Sequence, residues 1–485
     1  MVRFRWDPGP SDGRPRTLER TGGFALERPN ILLILADDMG YGDLDAGLEG
    51  GPALPVLDSL RADGLCLTQH YSGSPVCAPA RAALLTGRYP HRTGVVDTLE
   101  TLGLDRLHLD EVTLATRLKA AGYATGLVGK WHLGAFDPCF HPRERGFAEF
   151  VGFRGGWMDY YRWRLEVGGR PVAADGRYLT DVFTEAAVDF LGRHRHEPFF
   201  LHLAYNAPHF PLQAPDEEVA RFRAAGRTEA LATLYAMLRV MDQGVGRVLE
   251  TLDRHGLREN TLVLFASDNG PDPGGAGEAS TLRPNGGWRG HKCQVFEGGI
   301  RVPALLRWPA GLPGGGRALG DLVHFCDWMP TLLEAAGVDA AGTGPTLDGA
   351  SILGLLRGGD APRPAQARFW QWNRYHPRVT SNAAMRAGDW KLVRPEIAAT
   401  MRVRPEDAAA DRRVKEDPDW RPSFPVNIPL MEPPPPPAPL LFNLAEDPGE
   451  TRDLLSVEPR RAAAMLGALE GWFDEVTGGG VGPDR

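Results

Sequence analysis

Two carboxylates stand side by side at Asp37 and Asp38, directly after the aliphatic run Ile31 to Ala36. Adjacent carboxylates at the end of a buried strand repel one another unless a cation lies between them. A turn or helix cap uses the same residue type. A second oxygen-rich group, Ser267-Asp268-Asn269-Gly270, follows the run Thr261 to Ala266. Its carboxylate and amide oxygens also suit a hard cation, although Asp-Asn-Gly is equally a good turn. Two such strand ends in one chain favour the metal reading.

Nucleophilic and cationic groups accompany them. Cys77 precedes Pro79 and Arg81 within the stretch Pro75 to Arg88. Pro79 suits the first turn of a helix and Gly87 its end. Cys77 then lies at or beside a helix N-terminus, where backbone N–H groups favour an anion. Arg81, four residues on, shares its face. That setting lowers a thiol pKa and suits a sulfate or phosphate; the competing reading is a small buried Cys on an Ala-rich helix. Lys130 and His132 follow the run Tyr123 to Val128, and His209 follows Phe199 to Ala204. They offer positive charge and proton transfer, though each His taken singly is more simply a satisfied core or surface side chain. Lys292 follows a Gly-rich stretch from which a cation reaches an anionic ligand, or it is a solvated surface lysine.

These groups need a frame. The runs at Ile31, Tyr123, Phe199 and Thr261 read as strands, and Pro303 to Trp308 as another. Helices are expected over Pro55 to Gly64, around Leu114, Leu118 and Ala121, and over Trp328 to Ala336. Leu231, Leu234, Leu238, Met241, Val245, Val248 and Leu252 step by three and four, as in a long amphipathic helix. The alternation is that of an open α/β sheet, where ligands bind at the carboxyl ends of strands. Four of the chemical clusters sit where predicted strands run out. Gly270 to Gly290 reads as a surface loop near the site.

Composition shifts after Gly358. Short strands are expected around Phe369 to Trp372 and Trp390 to Val393, a stiff linker at Pro433 to Pro437, and a final helix from Glu458 to Val476. The chain divides into a polar extension (1–28), a large α/β domain (29–360) and a smaller α+β subdomain (361–485). With 42% hydrophobic residues in 485, it can bury a large core without disulfides. Its five cysteines are odd in number and widely spaced, against a disulfide scaffold or CxxC metal sites. A net charge of -8 without a long basic run argues against nucleic-acid binding. No run reaches the length of a membrane span. The first residues lack the apolar stretch of a signal peptide, so a cytoplasmic protein is expected. Oligomeric state is not fixed by the sequence.

Together these residues resemble the formylglycine-dependent sulfatases, the arylsulfatase-like branch of the alkaline phosphatase superfamily. The resemblance runs from about Pro29 to Leu454. It rests on Cys77-x-Pro79-x-Arg81 with Ala82-Ala83-Leu84-Leu85-Thr86-Gly87-Arg88, and on Glu297-Gly298-Gly299-Ile300-Arg301-Val302-Pro303. Leu441-Phe442-Asn443-Leu444 with Asp447-Pro448-Gly449-Glu450 adds to it. The family fold implied is a large mixed, mostly parallel sheet flanked by helices, with a smaller C-terminal α+β domain.

In that family a dedicated maturase oxidises the motif Cys to Cα-formylglycine, and a hydroxyl of its hydrate is the nucleophile. The resemblance implies that residue 77 is so modified. It implies that Asp37, Asp38, Asp268 and Asn269, with residue 77, bind one divalent metal, usually Ca2+, with Mg2+ or Mn2+ as alternatives. Arg81 and Lys130 would steady the formylglycine oxygens. Lys130, His209 and Lys292 would hold the sulfate, and His209 or Lys292 would protonate the leaving group. His132 would deprotonate the second hydroxyl, expelling sulfate. Ala80 departs from the family, many of whose members have Ser there. The implied substrate is an aryl or carbohydrate sulfate monoester. A phosphonate monoester or phosphodiester hydrolase of the same superfamily is the nearest alternative. An inactive binding protein is another. A cysteine hydrolase using Cys77 with His132 or His209 leaves Asp37, Asp38, Asp268 and Asn269 unexplained. Specificity is expected in Gly155 to Arg164, Gly270 to Arg289 and Trp372 to Tyr375, where Trp157, Tyr160, Tyr161 and Trp163 either stack on substrate or belong to the core.

Overall fold

The computed structural model describes residues 28–49, 51–340, 344–359, 367–417, 419–424, 428 and 432–478. The expected N-terminal extension therefore lies, but for Arg28, outside the described residues. Asn30–Ala36 is a strand buried along its whole length, as a strand covered on both faces must be. It pairs in parallel with Phe199–Ala204 on one side and Thr261–Ser267 on the other. Ala124–Lys130 continues the parallel set beside Phe199–Ala204, followed by Glu149–Phe153.

Two antiparallel margins make the sheet mixed. Ala304–Arg307 runs antiparallel to both Thr261–Ser267 and Leu65–Leu67, with Arg317–Leu319 at that edge. The hairpin Arg164–Val167 and Arg170–Ala173 closes the other. The result is one ten-stranded sheet. Alternate side chains of the first strand enter opposite layers. Leu32 and Ile34 pack beneath the helices Leu179–Arg193 and Glu229–Arg254. Ile31, Leu33 and Leu35 pack beneath Cys77–Thr86, Leu114–Ala120 and Trp328–Ala335.

A second, four-stranded antiparallel sheet follows the order Ala367–Gln371, Ala383–Ala387, Trp390–Arg394, Leu440–Asn443. The helix Pro459–Thr477 lies on it, and its Met465, Leu469 and Trp472 join the same hydrophobic cluster as Leu114 and Trp328. The fold class read from the sequence is the one observed. Glu149–Phe153, the edge hairpin, Ala383–Ala387 and the helices Leu179–Arg193 and Pro405–Glu416 were not anticipated. The hairpin strands, Arg-Leu-Glu-Val and Arg-Pro-Val-Ala, are too short and polar to stand out. Pro433 to Pro437 carries no regular structure. No helix among the described residues is long and apolar enough to cross a membrane.

A buried ion cluster ties the second sheet to the short helix Glu297–Ile300. Lys391 Nζ, on the second sheet, lies 2.9 Å from Glu297 Oε1 and 2.9 Å from Glu450 Oε1. Tyr71 Oη donates to Glu297 Oε2 at 2.6 Å. Burial opposes charge on Glu297, but Lys391, Arg386 and Arg301 outweigh it and hold the carboxyl at about 2. Removing the cation leaves buried Glu450 without an ion-pair partner and Glu297 with only Arg301 and Arg386. Lys391→Met should therefore destabilise the fold by about 3–5 kcal/mol, read as a lower denaturant midpoint. A loss below about 1 kcal/mol, the range of exposed pairs, would contradict this.

Candidate active site

Because the central strands are parallel, their carboxyl ends share one edge. Asp37 and Asp38 follow the first strand, Asp268 and Asn269 follow Thr261–Ser267, Lys130 ends Ala124–Lys130, and His209 lies beyond Phe199–Ala204. The helix Cys77–Thr86 begins at the same edge, with Val76 as its N-cap. Carboxylate oxygens of Asp37, Asp38 and Asp268 lie within 4.8 Å of one another, and so do donor atoms of Asp37, Cys77 and His209.

Three cations and one imidazole ring these carboxylates. Lys130 Nζ is 2.7 Å from Asp37 Oδ2. Arg81 donates to Asp268 Oδ2 through Nη2 at 2.7 Å and Nε at 3.0 Å. Lys292 Nζ donates to Asp38 Oδ2 at 2.7 Å, and His209 Nε2 stands 3.9 Å from the same oxygen. Even so, Asp37 Oδ1 and Asn269 Oδ1 are buried acceptors without a hydrogen-bond partner. Orphaned hard oxygens beside three clustered carboxylates fit a divalent cation of the calcium or magnesium type.

The electrostatics follow from burial against charge. For Asp37 burial is overcome by Lys130, His209, Arg81 and Lys292, which hold its carboxyl well below the usual range. Asp268 is pushed up to about 7, by burial first and then by Asp37. Burial takes His132 well below its ordinary value, and takes His209 down to about 3. The expected lowering of the Cys77 thiol is overturned: burial drives it far upward despite Lys130 and Lys292. A helix N-terminus does not offset the loss of solvent at a site this closed.

The backbone is built for these positions. Asp38 and His132 adopt the left-handed region, φ 68° and 58°, where residues with side chains are uncommon. Asp38 is held there from the largely exposed stretch between Gly270 and Gly290. Arg283 Nε and Nη2 grip the Asp43 carboxylate at 2.6 and 2.7 Å, and Nη2 reaches Asp38 O at 3.3 Å. Asp43 Oδ2 in turn accepts from Gly40 N, and Asn285 Oδ1 from Gly42 N. Gly129 at φ 114° lies so close to Ala204 O that a Cβ would fall 1.9 Å from it, so only glycine fits before Lys130.

Sequence patterns did not signal Arg283 or Asn285, since their partners lie some 240 residues away. Of the four aromatic candidates, Tyr160 and Trp163 are core. Tyr160 Oη donates to Asn206 O and His209 O, bracing the His209 loop. Trp157 and Tyr161 remain partly exposed.

His132 lies against Gly156, whose Cβ would fall 2.4 Å from the imidazole Cε1. The Gly156 N–H donates to Glu100 at 3.1 Å. Burial, then Asp105, pushes Glu100 up to about 8. A raised carboxyl keeps a proton in the fold that the unfolded chain releases, so stability falls as pH rises from about 4.5 to about 8. Glu100→Gln should remove that fall. Denaturant midpoints measured across this range would show wild type losing more stability than the variant; parallel curves would contradict it.

An open, mostly parallel α/β sheet carrying an oxygen cluster ringed by cations defines an enzyme for an anionic ester. Residues 29–338 match the family described as Sulfatase, and 286–400 match the N-sulphoglucosamine sulphohydrolase C-terminal family. Steryl-sulfatase of Mus musculus is 32% identical, over 96% of this chain and 82% of its own length. Arylsulfatase A of Bos taurus is 33% identical, over 94% and 91%. The crystal structure of Ps i-CgsB in complex with k-i-k-neocarrahexaose is 29% identical, with a TM-score of 0.73 over 92% of this chain and 93% of that one. A phosphonate monoester hydrolase from Silicibacter pomeroyi, 20% identical at a TM-score of 0.59, shares the fold. The chain belongs to the sulfatase family, and is a hydrolase of sulfate esters.

Proposed function

We propose that the chain hydrolyses an aryl or carbohydrate sulfate monoester at this site, after a formylglycine-generating maturase has oxidised Cys77 to Cα-formylglycine. One observation carries the reading. Residue 77 opens a helix with its sulfur within 4.8 Å of ligand atoms of Asp37 and His209, and Lys130, Lys292 and Asp268 also act on it, while burial pushes its thiol well above the ordinary range. Formylglycine, when present, supplies a hydrated aldehyde with two hydroxyls, one to attack sulfur and one whose proton loss releases sulfate. The cation, held by Asp37, Asp38, Asp268, Asn269 and residue 77, supplies charge neutralisation and a lowered hydroxyl pKa. Calcium suits the all-oxygen set, with Mg2+ or Mn2+ as alternatives.

The protein's own residues do the rest. Arg81 and Lys130 orient the oxygens on residue 77 while fixing Asp268 and Asp37. Lys130, His209 and Lys292 hold the sulfate and the charge growing on it. His209 or Lys292, both on the Asp38 side, protonates the departing alkoxide. His132, kept neutral by burial and with Nδ1 unpartnered, accepts a proton in sulfate release.

The nearest alternative substrate carries the same single negative charge, so the cationic ring does not separate the two. Rates on an aryl sulfate and the matching aryl phosphonate monoester do. The sulfate should have the higher kcat/KM by about tenfold or more. A higher kcat/KM for the phosphonate would replace this reading.

A further inference from the structure

One short stretch, Asp97 to Glu100, holds the His132 imidazole from two sides. On one side Thr98 O faces Nε2 at 3.4 Å. On the other, Glu100 accepts the N–H of Gly156, which lies against the ring. Nδ1 is buried and has no partner. The group at Nε2 is a carbonyl, which only accepts, so Nε2 carries the ring proton and Nδ1 keeps the lone pair.

Asp97, Thr98 and Leu99 belong to no strand or helix, so something else must fix the Thr98 carbonyl. The backbone bonds of the stretch include Val96 N and Asp97 N to Leu104 O, at 3.1 and 3.2 Å. Its side-chain anchor is Arg374, which follows the strand Ala367–Gln371 of the second sheet. Arg374 Nη1 donates to Asp97 Oδ1 and to Thr98 Oγ1, each at 2.8 Å. Tyr375 N donates to Asp97 Oδ2 at 3.0 Å. The Asp97 side chain is wholly buried, so this ion pair is shielded from water. Arg374 lies in the stretch Trp372 to Tyr375, which was expected to set specificity. Its charge is instead paired with Asp97, and its fork grips the residue whose carbonyl meets His132.

We propose that Arg374, with Asp97 and Thr98, is a positioning residue: it fixes the orientation and tautomer of His132 and so leaves Nδ1 as the base. The role rests on the sulfate-ester reading above, in which His132 takes a proton as sulfate is released. Release follows ester cleavage, so with a good leaving group the role enters kcat but not kcat/KM. In maturase-treated Arg374→Met and Thr98→Val, kcat and KM for 4-nitrophenyl sulfate should fall together by about tenfold, with kcat/KM within about threefold of wild type. Thr98→Val removes one hydroxyl and no charge, and so serves where Arg374→Met fails to fold. Thr98→Ser, which keeps the hydroxyl, should recover most of kcat. A second readout needs no turnover. With histidine labelled at both ring nitrogens in the unmodified chain, and His132 assigned through His132→Gln, NMR reports which nitrogen is protonated. Wild type should carry the proton on Nε2, and the Arg374→Met and Thr98→Val chains should show a mixture of tautomers. A loss of kcat/KM as large as that of kcat overturns the proposal, and so do unchanged kinetics in both variants. A wild-type ring protonated at Nδ1, or a tautomer unmoved in both variants, overturns it as well. Wild-type enzyme that turns over no sulfate ester would instead sink the sulfate-ester reading, while the ring nitrogens would still decide how His132 is held.

Discussion

Replacing Cys77 with alanine abolishes turnover of every sulfate ester, by about 10⁴-fold or more, while the fold persists. The side chain is 2% exposed in an Ala-rich helix, where Ala78, Ala80, Ala82 and Ala83 are already buried. Losing one sulfur there costs about 1–2 kcal/mol of packing, far short of unfolding a chain this size. Asp37, Asp38, Asp268 and Asn269 keep their strands and their cationic partners, so calcium binding persists within about tenfold. Calorimetric titration with calcium, beside an activity assay, separates the two effects. Substantial residual turnover by the alanine variant would show that residue 77 is not the nucleophile.

Asp37→Asn has the second largest effect. The carboxylate accepts from Lys130 Nζ at 2.7 Å through Oδ2, while Oδ1 stands 3.5 Å from Arg81 Nη2 without a hydrogen bond. The amide is nearly isosteric, so the variant removes charge more than shape. It leaves Lys130 with 0% of its side chain exposed and no opposing charge in contact. It also takes one hard anionic donor from the proposed cation site. We expect kcat/KM to fall by about 10³-fold, or about 4 kcal/mol of transition-state stabilisation. Calcium affinity should fall by about 100-fold. Saturating calcium should restore only part of the activity, because the Lys130 position is disturbed too. A variant within about tenfold of wild type at all calcium concentrations would place Asp37 outside the reaction.

The strand ends were legible because four aliphatic runs, each followed by polar residues, leave little choice about what is buried and what emerges. Asp37, Asp38, Lys130, His209, Asp268 and Asn269 all stand at one edge because those strands are parallel. The ionisation of the Cys77 thiol was not legible. A helix N-terminus visible in sequence argues for a lowered thiol pKa, but the depth of burial that reverses it is a tertiary property. The Asp43–Arg283 brace was invisible for a related reason: a buried arginine has no local periodicity, and its partner is 240 residues away. Tyr160 and Trp163 show the same limit, since an aromatic cluster reads alike whether it lines a site or fills a core. The helix Pro405–Glu416 was missed because only Asp407 along it is buried, which leaves almost no apolar stripe to find.

Residue 77, one cysteine among five, is buried, and its thiol is pushed well above the ordinary range. Peptide mass spectrometry of residue 77, in protein produced together with the maturase and assayed in the same preparation, tests the central claim most directly. An aldehyde in place of the thiol, in a fraction that tracks specific activity, is the result predicted. Full sulfatase activity from protein whose residue 77 is wholly unmodified cysteine would contradict it.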